Sequence, residues 1–139
     1  MNIIPYEHTA HYYETDQMGI VHHSNYIRWF EEARVDFMNQ MGLGYKVMEE
    51  NDIISPVIAV SCQYKSMTRF EDTVLVKAKV KEYNGIRLTI GYEVTDKVTG
   101  QLRCTGESKH CFLNKENKPL SLRKEHKGFD QMFQDALTF

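Results

Sequence analysis

The sequence predicts an α+β fold in which one long helix is wrapped by a curved antiparallel sheet of about five strands. Three observations lead to this prediction: one helical apolar pattern, a series of long alternating segments, and tight-turn signals between those segments. Long strands twist and curl rather than lie flat, so such a sheet needs an apolar element to wrap around. The chain offers one long apolar helix for this role.

The first strand is predicted at Thr9–Glu14, which is rich in Tyr and His, and a turn follows at Asp16–Gly19. Between residues 24 and 41, apolar residues recur at spacings of three and four, the pattern of a helix with one apolar face. We expect this helix to run the length of the domain, because 18 residues at about 1.5 Å each span about 27 Å.

Capping residues set the expected ends of the long helix. Ser24 or Asn25 can cap its start, and Gly42 and Gly44 can end it. The following segment, Tyr45–Asn51, can form one or two further helical turns. The tail from residue 125 to residue 137 has the spacing of a short amphipathic helix.

Four segments with a period of two follow the helix, and this period places each apolar set on one face of a strand. The sets begin and end at Ile58 and Tyr64, Val74 and Val80, Ile86 and Val94, and Leu102 and Phe112. Asn84-Gly85 is a strong hairpin signal, and residues 97–100 offer a second turn. We therefore expect these strands to be consecutive antiparallel neighbours.

The chain has 139 residues, of which 42% are hydrophobic and 26% are charged. This size and composition are those of one globular domain covering residues 1–139. The net charge of −2 gives no global reason to expect nucleic-acid binding. No apolar run reaches the length of a membrane-spanning helix, and the N-terminus lacks the features of a signal peptide. We expect a cytoplasmic protein without a membrane span.

The three cysteines, Cys62, Cys104 and Cys111, are odd in number and lack the Cys-x-x-Cys spacing of metal sites. A disulfide framework or a structural zinc site is therefore not expected. We interpret the three residues as buried, reduced and small hydrophobic side chains.

One motif joins the predicted turn to the predicted helix. It reads Glu14-Thr15-Asp16-Gln17-Met18-Gly19-Ile20-Val21-His22-His23-Ser24-Asn25-Tyr26. With the long strands that follow, this motif resembles the hotdog-fold thioesterases, and most closely the 4-hydroxybenzoyl-CoA thioesterase family in its branch of short-chain acyl-CoA thioesterases. The resemblance spans nearly the whole chain and is most specific between residues 12 and 34.

The resemblance implies that Asp16 is the catalytic carboxylate, either as the general base that activates water or as a nucleophile on the thioester carbonyl. Judged by spacing alone, Asp16 is a turn residue that binds its own backbone ahead of Gly19. The family match favours the catalytic interpretation.

The same resemblance implies roles for His23 and Tyr12. The backbone amide of His23 would polarise the carbonyl at the positive end of the helix, and its side chain would take part in catalysis or point to solvent. Tyr12 would line the catalytic pocket, although Tyr13 competes for this register and either ring can fill the core instead.

Substrate-binding candidates are Asn25, Tyr26, Lys65, Arg69 and Arg87. The first two match the family pattern and also suit capping and packing of the first helical turn. The other three are cations that could meet the phosphates of coenzyme A, or could be solvated surface charges.

No cofactor and no metal is expected. His22 and His23 with Asp16 invite a metal hypothesis, but adjacent histidines do not point together and no further ligands lie nearby in the sequence. The implied substrate is an acyl-CoA.

Two other functions compete with acyl-CoA hydrolysis: hydrolysis of a thioester on an acyl carrier protein, and acyl-CoA binding without catalysis. Hotdog dehydratases fit less well, because their pairing of His and acid is not found on the predicted helix. The resemblance also implies a homodimer or homotetramer with active sites at the interface between chains.

Overall fold

The computed structural model describes all 139 residues of the chain. Its elements, in chain order, are β1 (Tyr6–Thr9), a 3-10 turn (Tyr12–Glu14), α1 (Ser24–Met41), α2 (Tyr45–Glu50), β2 (Val57–Tyr64), β3 (Thr73–Tyr83), β4 (Arg87–Asp96), β5 (Leu102–Cys111), α3 (Leu122–Glu125) and α4 (Lys127–Ala136). None of these helices combines the length and apolar character that crossing a bilayer requires.

The central helix is confirmed at the predicted residues, 24–41. Its inner face buries large side chains against the sheet, and burying each contributes about 1.5–3 kcal/mol. Phe30 stacks on Tyr92 of β4 with ring centroids 4.4 Å apart. A Cβ at Gly106 of β5 would stand 2.5 Å from the Phe30 ring. Helix and sheet approach closely here because this position is glycine.

The predicted five-stranded antiparallel sheet is confirmed, with the order β1-β3-β4-β5-β2. The strands β3, β4 and β5 are consecutive neighbours as expected, joined by the Asn84-Gly85 turn and by the turn at residues 97–100. The prediction is wrong for β2, which pairs with β5 at the far edge. The outer side of β3 is occupied by β1, with Tyr6 opposite Val76, so β2 has no place beside β3.

The first strand was predicted too late in the chain. It covers Tyr6–Thr9, and Tyr12–Glu14 forms the 3-10 turn. The Glu14 carboxylate accepts a hydrogen bond from the His11 amide at 2.7 Å, which bends the chain back on itself. An extended strand over these residues is incompatible with that bond.

The ends of α1 agree with the prediction only in part. Gly42 ends the helix in a left-handed conformation at φ 81°, as expected. At the start, the cap position is His23 rather than Ser24 or Asn25. Asn25 lies inside the first turn, where its side-chain amide donates to the backbone oxygens of Glu14 and His22.

The tail forms α4 within the predicted range, and the Tyr83 hydroxyl donates to Asp130 at 2.6 Å to fasten it to β3. All three cysteines are free. Cys104 is buried as predicted, whereas Cys62 and Cys111 are only half-buried.

Candidate active site

The loop between the 3-10 turn and α1 presents Asp16 to solvent. Its backbone closes a turn, with the Gly19 amide donating to the Asp16 carbonyl at 3.0 Å and the Asp16 amide donating to Ile20 at 2.9 Å. The Met18 amide donates to Asp16 Oδ1 at 2.8 Å. The second carboxylate oxygen, Oδ2, makes no hydrogen bond within the chain. One oxygen therefore orients the carboxylate and the other is available for chemistry.

Asp16 lies on the wall of a cavity of about 310 Å³. The cavity joins residues from the loop, the start of α1, and β2 with the segment that follows it. It is lined by Asp16, Ile20, Val21, His23, Tyr26, Tyr64, Lys65, Ser66 and Met67. Four of the residues selected from the sequence, Asp16, His23, Tyr26 and Lys65, meet here.

His23 brings the start of α1 into this cavity. Its backbone N–H donates to no acceptor in the chain, whereas the amides on either side, of His22 and Ser24, are both bonded. The His23 carbonyl accepts a weak hydrogen bond from the Tyr64 hydroxyl at 3.3 Å. A free amide at the first turn of an 18-residue helix is a donor placed where the helix dipole favours negative charge.

Tyr64 is a cavity residue that the sequence did not single out. It lies at the end of β2, with its ring edge-on to His23 at 6.0 Å and to Tyr26 at 5.5 Å. Alternation alone could place Tyr64 on a strand face but could not show that β2 ends beside the helix start. The Tyr26 hydroxyl is turned away from solvent and donates to Thr68 at 3.0 Å.

Tyr12 lies outside the cavity lining. Its side chain is 71% exposed and its ring packs near Phe70 at 5.6 Å, while Tyr13 stacks on His11. Tyr12 does hold the loop through its backbone, because its carbonyl accepts hydrogen bonds from the amide and hydroxyl of Thr15.

The remaining binding candidates lie at different distances from the cavity. Lys65 lines it, and Arg69 is an exposed residue whose backbone bridges to Ile20 of the loop. Arg87 begins β4 opposite Cys111, at the other end of the sheet from the Tyr64–Cys104 pair. Seven residues of β5 separate the two ends, or about 23 Å. Arg87 therefore cannot reach the cavity of its own chain.

Glu14 is the buried carboxylate of the motif, only 5% exposed. It accepts hydrogen bonds from the His11 amide at 2.7 Å, from His8 Nε2 at 2.9 Å and from Trp29 Nε1 at 2.7 Å. Burial alone would raise the pKa of Glu14, but these three donors together lower it below its ordinary value. Glu14 is thus a buried anion that ties β1, the 3-10 turn and α1 together.

His8, His11 and Glu14 also bring their donor atoms within 4.8 Å of one another, a spacing that a metal ion can use. The Glu14 oxygens are already engaged by His8, Trp29 and the His11 amide. The arrangement is that of a hydrogen-bond network. His22 Nδ1 is hydrogen-bonded to the Ser24 hydroxyl at 2.8 Å, and the His22 and His23 ring centroids are 4.2 Å apart.

The chain is similar to known thioesterases along almost its whole length. A family model described as "Thioesterase-like superfamily" matches residues 11–137. The YneP protein of Bacillus subtilis (strain 168), provisionally named an acyl-CoA thioesterase, is 32% identical over 98% of this chain and 99% of its own length. A protein of Aquifex aeolicus (strain VF5), provisionally named an esterase, is 33% identical over 86% of this chain and 91% of its own.

Solved structures agree with the sequence relatives. The DHNA-CoA thioesterase from Staphylococcus aureus superimposes with a TM-score of 0.88 at 32% identity, over 96% of this chain and 89% of that one. The chain therefore belongs to the thioesterase-like superfamily of hotdog-fold proteins and is a thioester hydrolase.

Proposed function

We propose that the chain hydrolyses an acyl-CoA thioester to the free acid and coenzyme A, with Asp16 as its catalytic carboxylate. One observation carries this proposal: a carboxylate oxygen of Asp16 and the amide of His23, neither bonded within the chain, belong to residues lining the same cavity. A thioester needs two aids, a base or nucleophile and a donor for the developing oxyanion. The names of YneP and of the Staphylococcus aureus enzyme favour coenzyme A as the thiol carrier.

The proposed reaction begins with water between Asp16 and the thioester carbonyl. Asp16 accepts a proton as the water oxygen bonds to the carbonyl carbon, and the His23 amide donates to the oxyanion that forms. The intermediate then expels the sulfur as coenzyme A thiolate, which takes up a proton. The alternative is direct attack by Asp16 on the carbonyl carbon, which expels coenzyme A thiolate and forms a mixed anhydride; water then hydrolyses this anhydride, and the thiolate takes up a proton.

Phosphate groups of coenzyme A would be met by cations near the cavity. Lys65 lines the cavity, and Arg69 adjoins the loop through its bridge to Ile20. Arg87, at the far end of the sheet, could contribute only across an interface between two chains.

The edge strand β2 supports a homodimer in this proposal. Its outer side has no strand partner, and several of its apolar side chains are exposed: Val57, Ile58, Val60 and Tyr64. Antiparallel pairing of two such edges would satisfy the free backbone groups and place the start of β4 of one chain, where Arg87 lies, at the same end of the joined sheet as the cavity of the other. Sedimentation of the wild-type protein at assay concentration checks this, and a monomer that is fully active would contradict it.

The test of the proposed function is a panel of acyl-CoA esters, from acetyl through long-chain to aromatic, assayed with the wild type and with Asp16→Asn. We expect kcat/KM to fall about 10³-fold or more in the variant, with folding and assembly unchanged. Wild-type rates in Asp16→Asn on every accepted ester would refute the role of Asp16. Single-turnover hydrolysis in ¹⁸O-water tests for nucleophilic attack, because a product acid without ¹⁸O must have taken an oxygen of Asp16 when water attacked the Asp16 carboxyl carbon of the anhydride.

Matched esters on coenzyme A and on an acyl carrier protein distinguish the two thioesterase functions. Faster hydrolysis of the carrier-protein ester would replace the coenzyme A proposal. Stoichiometric binding of acyl-CoA without turnover across the panel would instead indicate a binding protein.

A further inference from the structure

Arg34 is a buried cation that has no acidic partner. It lies on α1 with only 7% of its surface exposed, yet it forms no ion pair with any Asp or Glu. The other buried arginine, Arg103, behaves as buried charges usually do and pairs with Asp96 at 3.3 Å. The charge on Arg34 is therefore not explained by the interactions of the folded chain alone.

Neutral hydroxyl groups hold the Arg34 guanidinium in place. Its Nε donates to Tyr45 at 2.8 Å, and its Nη1 donates to Tyr92 at 3.1 Å. Tyr92 in turn contacts the Ser108 hydroxyl at 2.6 Å. The remaining nitrogen, Nη2, has no hydrogen-bond partner in the chain and is not among the side-chain atoms sealed from solvent. The guanidinium group is therefore fixed through Nε and Nη1, whereas Nη2 is open to solvent.

The surroundings keep the site positively charged. Burial alone would lower the pKa of Arg34, but its contacts with Tyr92 and Tyr45 raise it above the ordinary value. His110 bonds to Ser108 at 2.8 Å, and burial, with Arg34 nearby, lowers the pKa of His110 to about 4. It is therefore neutral near pH 7. Glu31, one turn earlier on the helix, is exposed and does not pair with Arg34.

The Arg34 site lies beside α1 and β2, the two elements that also border the active-site cavity, but further along each. On α1 it follows His23 by eleven residues, about 16 Å. On the sheet, Ser108 lies opposite Val60 of β2, four residues or about 13 Å from Tyr64 in the cavity. Ile27 of α1, which lies between His23 and Arg34 in the sequence, and Val60, which lies opposite Ser108, are both exposed apolar side chains.

We propose that Arg34 binds an acidic oxygen at the end of the acyl group remote from the thioester, so that the preferred substrates are acyl-CoA esters with a distal carboxylate. This proposal rests on the proposed function, because it places the thioester carbonyl at Asp16 and His23. The acyl chain then follows the seam between α1 and β2, with its apolar part along Ile27 and Val60. Its distal carboxylate accepts from Nη2 of Arg34.

The experiment compares suberoyl-CoA, which ends in a carboxylate, with octanoyl-CoA, which has the same chain length and ends in a methyl group. We expect kcat/KM of the wild type to favour suberoyl-CoA by about 10- to 100-fold, the value of one charge-assisted hydrogen bond. Arg34→Met should abolish or invert this preference while octanoyl-CoA is still hydrolysed. Arg28→Met is the matched control, because Arg28 is an exposed arginine of the same helix.

A wild type that hydrolyses the two esters equally well overturns the proposal, and so does an Arg34→Met variant that keeps the preference. If Arg34→Met does not fold, calorimetric binding to the wild type decides, with two non-hydrolysable thioethers of coenzyme A: S-(7-carboxyheptyl)-CoA is expected to bind at least about 10-fold tighter than S-octyl-CoA. Equal binding of the two thioethers overturns the proposal. Failure of the wild type to hydrolyse any acyl-CoA would refute the proposed function instead, and the thioether-binding comparison would still test Arg34.

Discussion

Glu14 and Asp16 are carboxylates two residues apart in one loop, and the structure places them in opposite environments. Glu14 is buried and accepts three hydrogen bonds, from His8, His11 and Trp29. Asp16 is exposed, accepts one backbone hydrogen bond and lines a cavity. The alternation of side chains along the loop separates a carboxylate committed to structure from one that is available to react.

The difference shows that the two carboxylates of the motif have separate roles, one structural and one catalytic in the proposed reaction. A carboxylate whose oxygens are fully engaged by buried donors cannot take a proton from water without losing those bonds. A carboxylate held by a single amide keeps its orientation and still has a free oxygen. Glu14 therefore anchors the start of the loop, and Asp16 lies exposed within the loop with one carboxylate oxygen free.

The largest expected effect is on the free energy of unfolding, which we expect to depend on the Glu14 carboxylate and not on that of Asp16. Glu14→Gln places an amide NH2 among buried donors, so we expect the free energy of unfolding to fall by about 3–5 kcal/mol. Asp16→Asn should change it by less than about 0.5 kcal/mol, because the site is exposed. Urea unfolding followed by circular dichroism measures both, and equal losses in the two variants would break the comparison.

The second prediction separates the amide of His23 from its side chain. His23 has φ −56°, which proline can adopt, and its N–H has no partner in the chain, so His23→Pro removes the donor without removing a structural bond. We expect kcat to fall about 10²–10³-fold, as for loss of one oxyanion donor. His23→Ala, which keeps the amide, is the control. An equal loss in both variants would assign the effect to the imidazole.

The smallest expected effect is the contribution of Glu14 to the pH dependence of the free energy of unfolding. Its folded-state pKa is lowered, so its ionised form contributes stability above the unfolded-state pKa, and this contribution is lost as pH falls through the folded-state value. The free energy of unfolding of the wild type should therefore fall more steeply than that of Glu14→Gln as the pH is lowered. Urea midpoints measured from pH 7 down to pH 3 give the two slopes, which would be the same if Glu14 did not contribute.

Local patterns predicted most of the fold. Residues 24–41 carry the helical period without interruption, and each of β3, β4 and β5 alternates and ends at a turn signal. The position of β2 was not predictable in this way, because pairing with β5 is a choice between distant partners that leaves no local mark. The first strand is predicted too late in the chain because Tyr and His residues occur both in strands and in a 3-10 turn such as Tyr12–Glu14, whose two tyrosines are exposed.

The site was predicted where the motif is contiguous and missed where it depends on tertiary contacts. Asp16, His23 and Tyr26 belong to one short segment, and they line one cavity. Glu14 acquires its role through contacts that include Trp29, fifteen residues later, and His8 of β1. Sequence reasoning did not identify Arg34, because an arginine beside the apolar face of a helix usually extends its whole guanidinium into solvent, and only the contacts with Tyr45 and Tyr92 show that two of its nitrogens are bonded inside the chain.

The backbone oxygen of Glu14 has a further consequence for the reaction. It accepts from the His22 amide at 2.8 Å and from the Asn25 side chain at 2.9 Å, so the ends of the loop are closed on one atom. Closing a short loop costs conformational entropy, and here that cost is met during folding rather than when substrate arrives. The loop is thus preorganised, and substrate binding need not order the segment that carries Asp16.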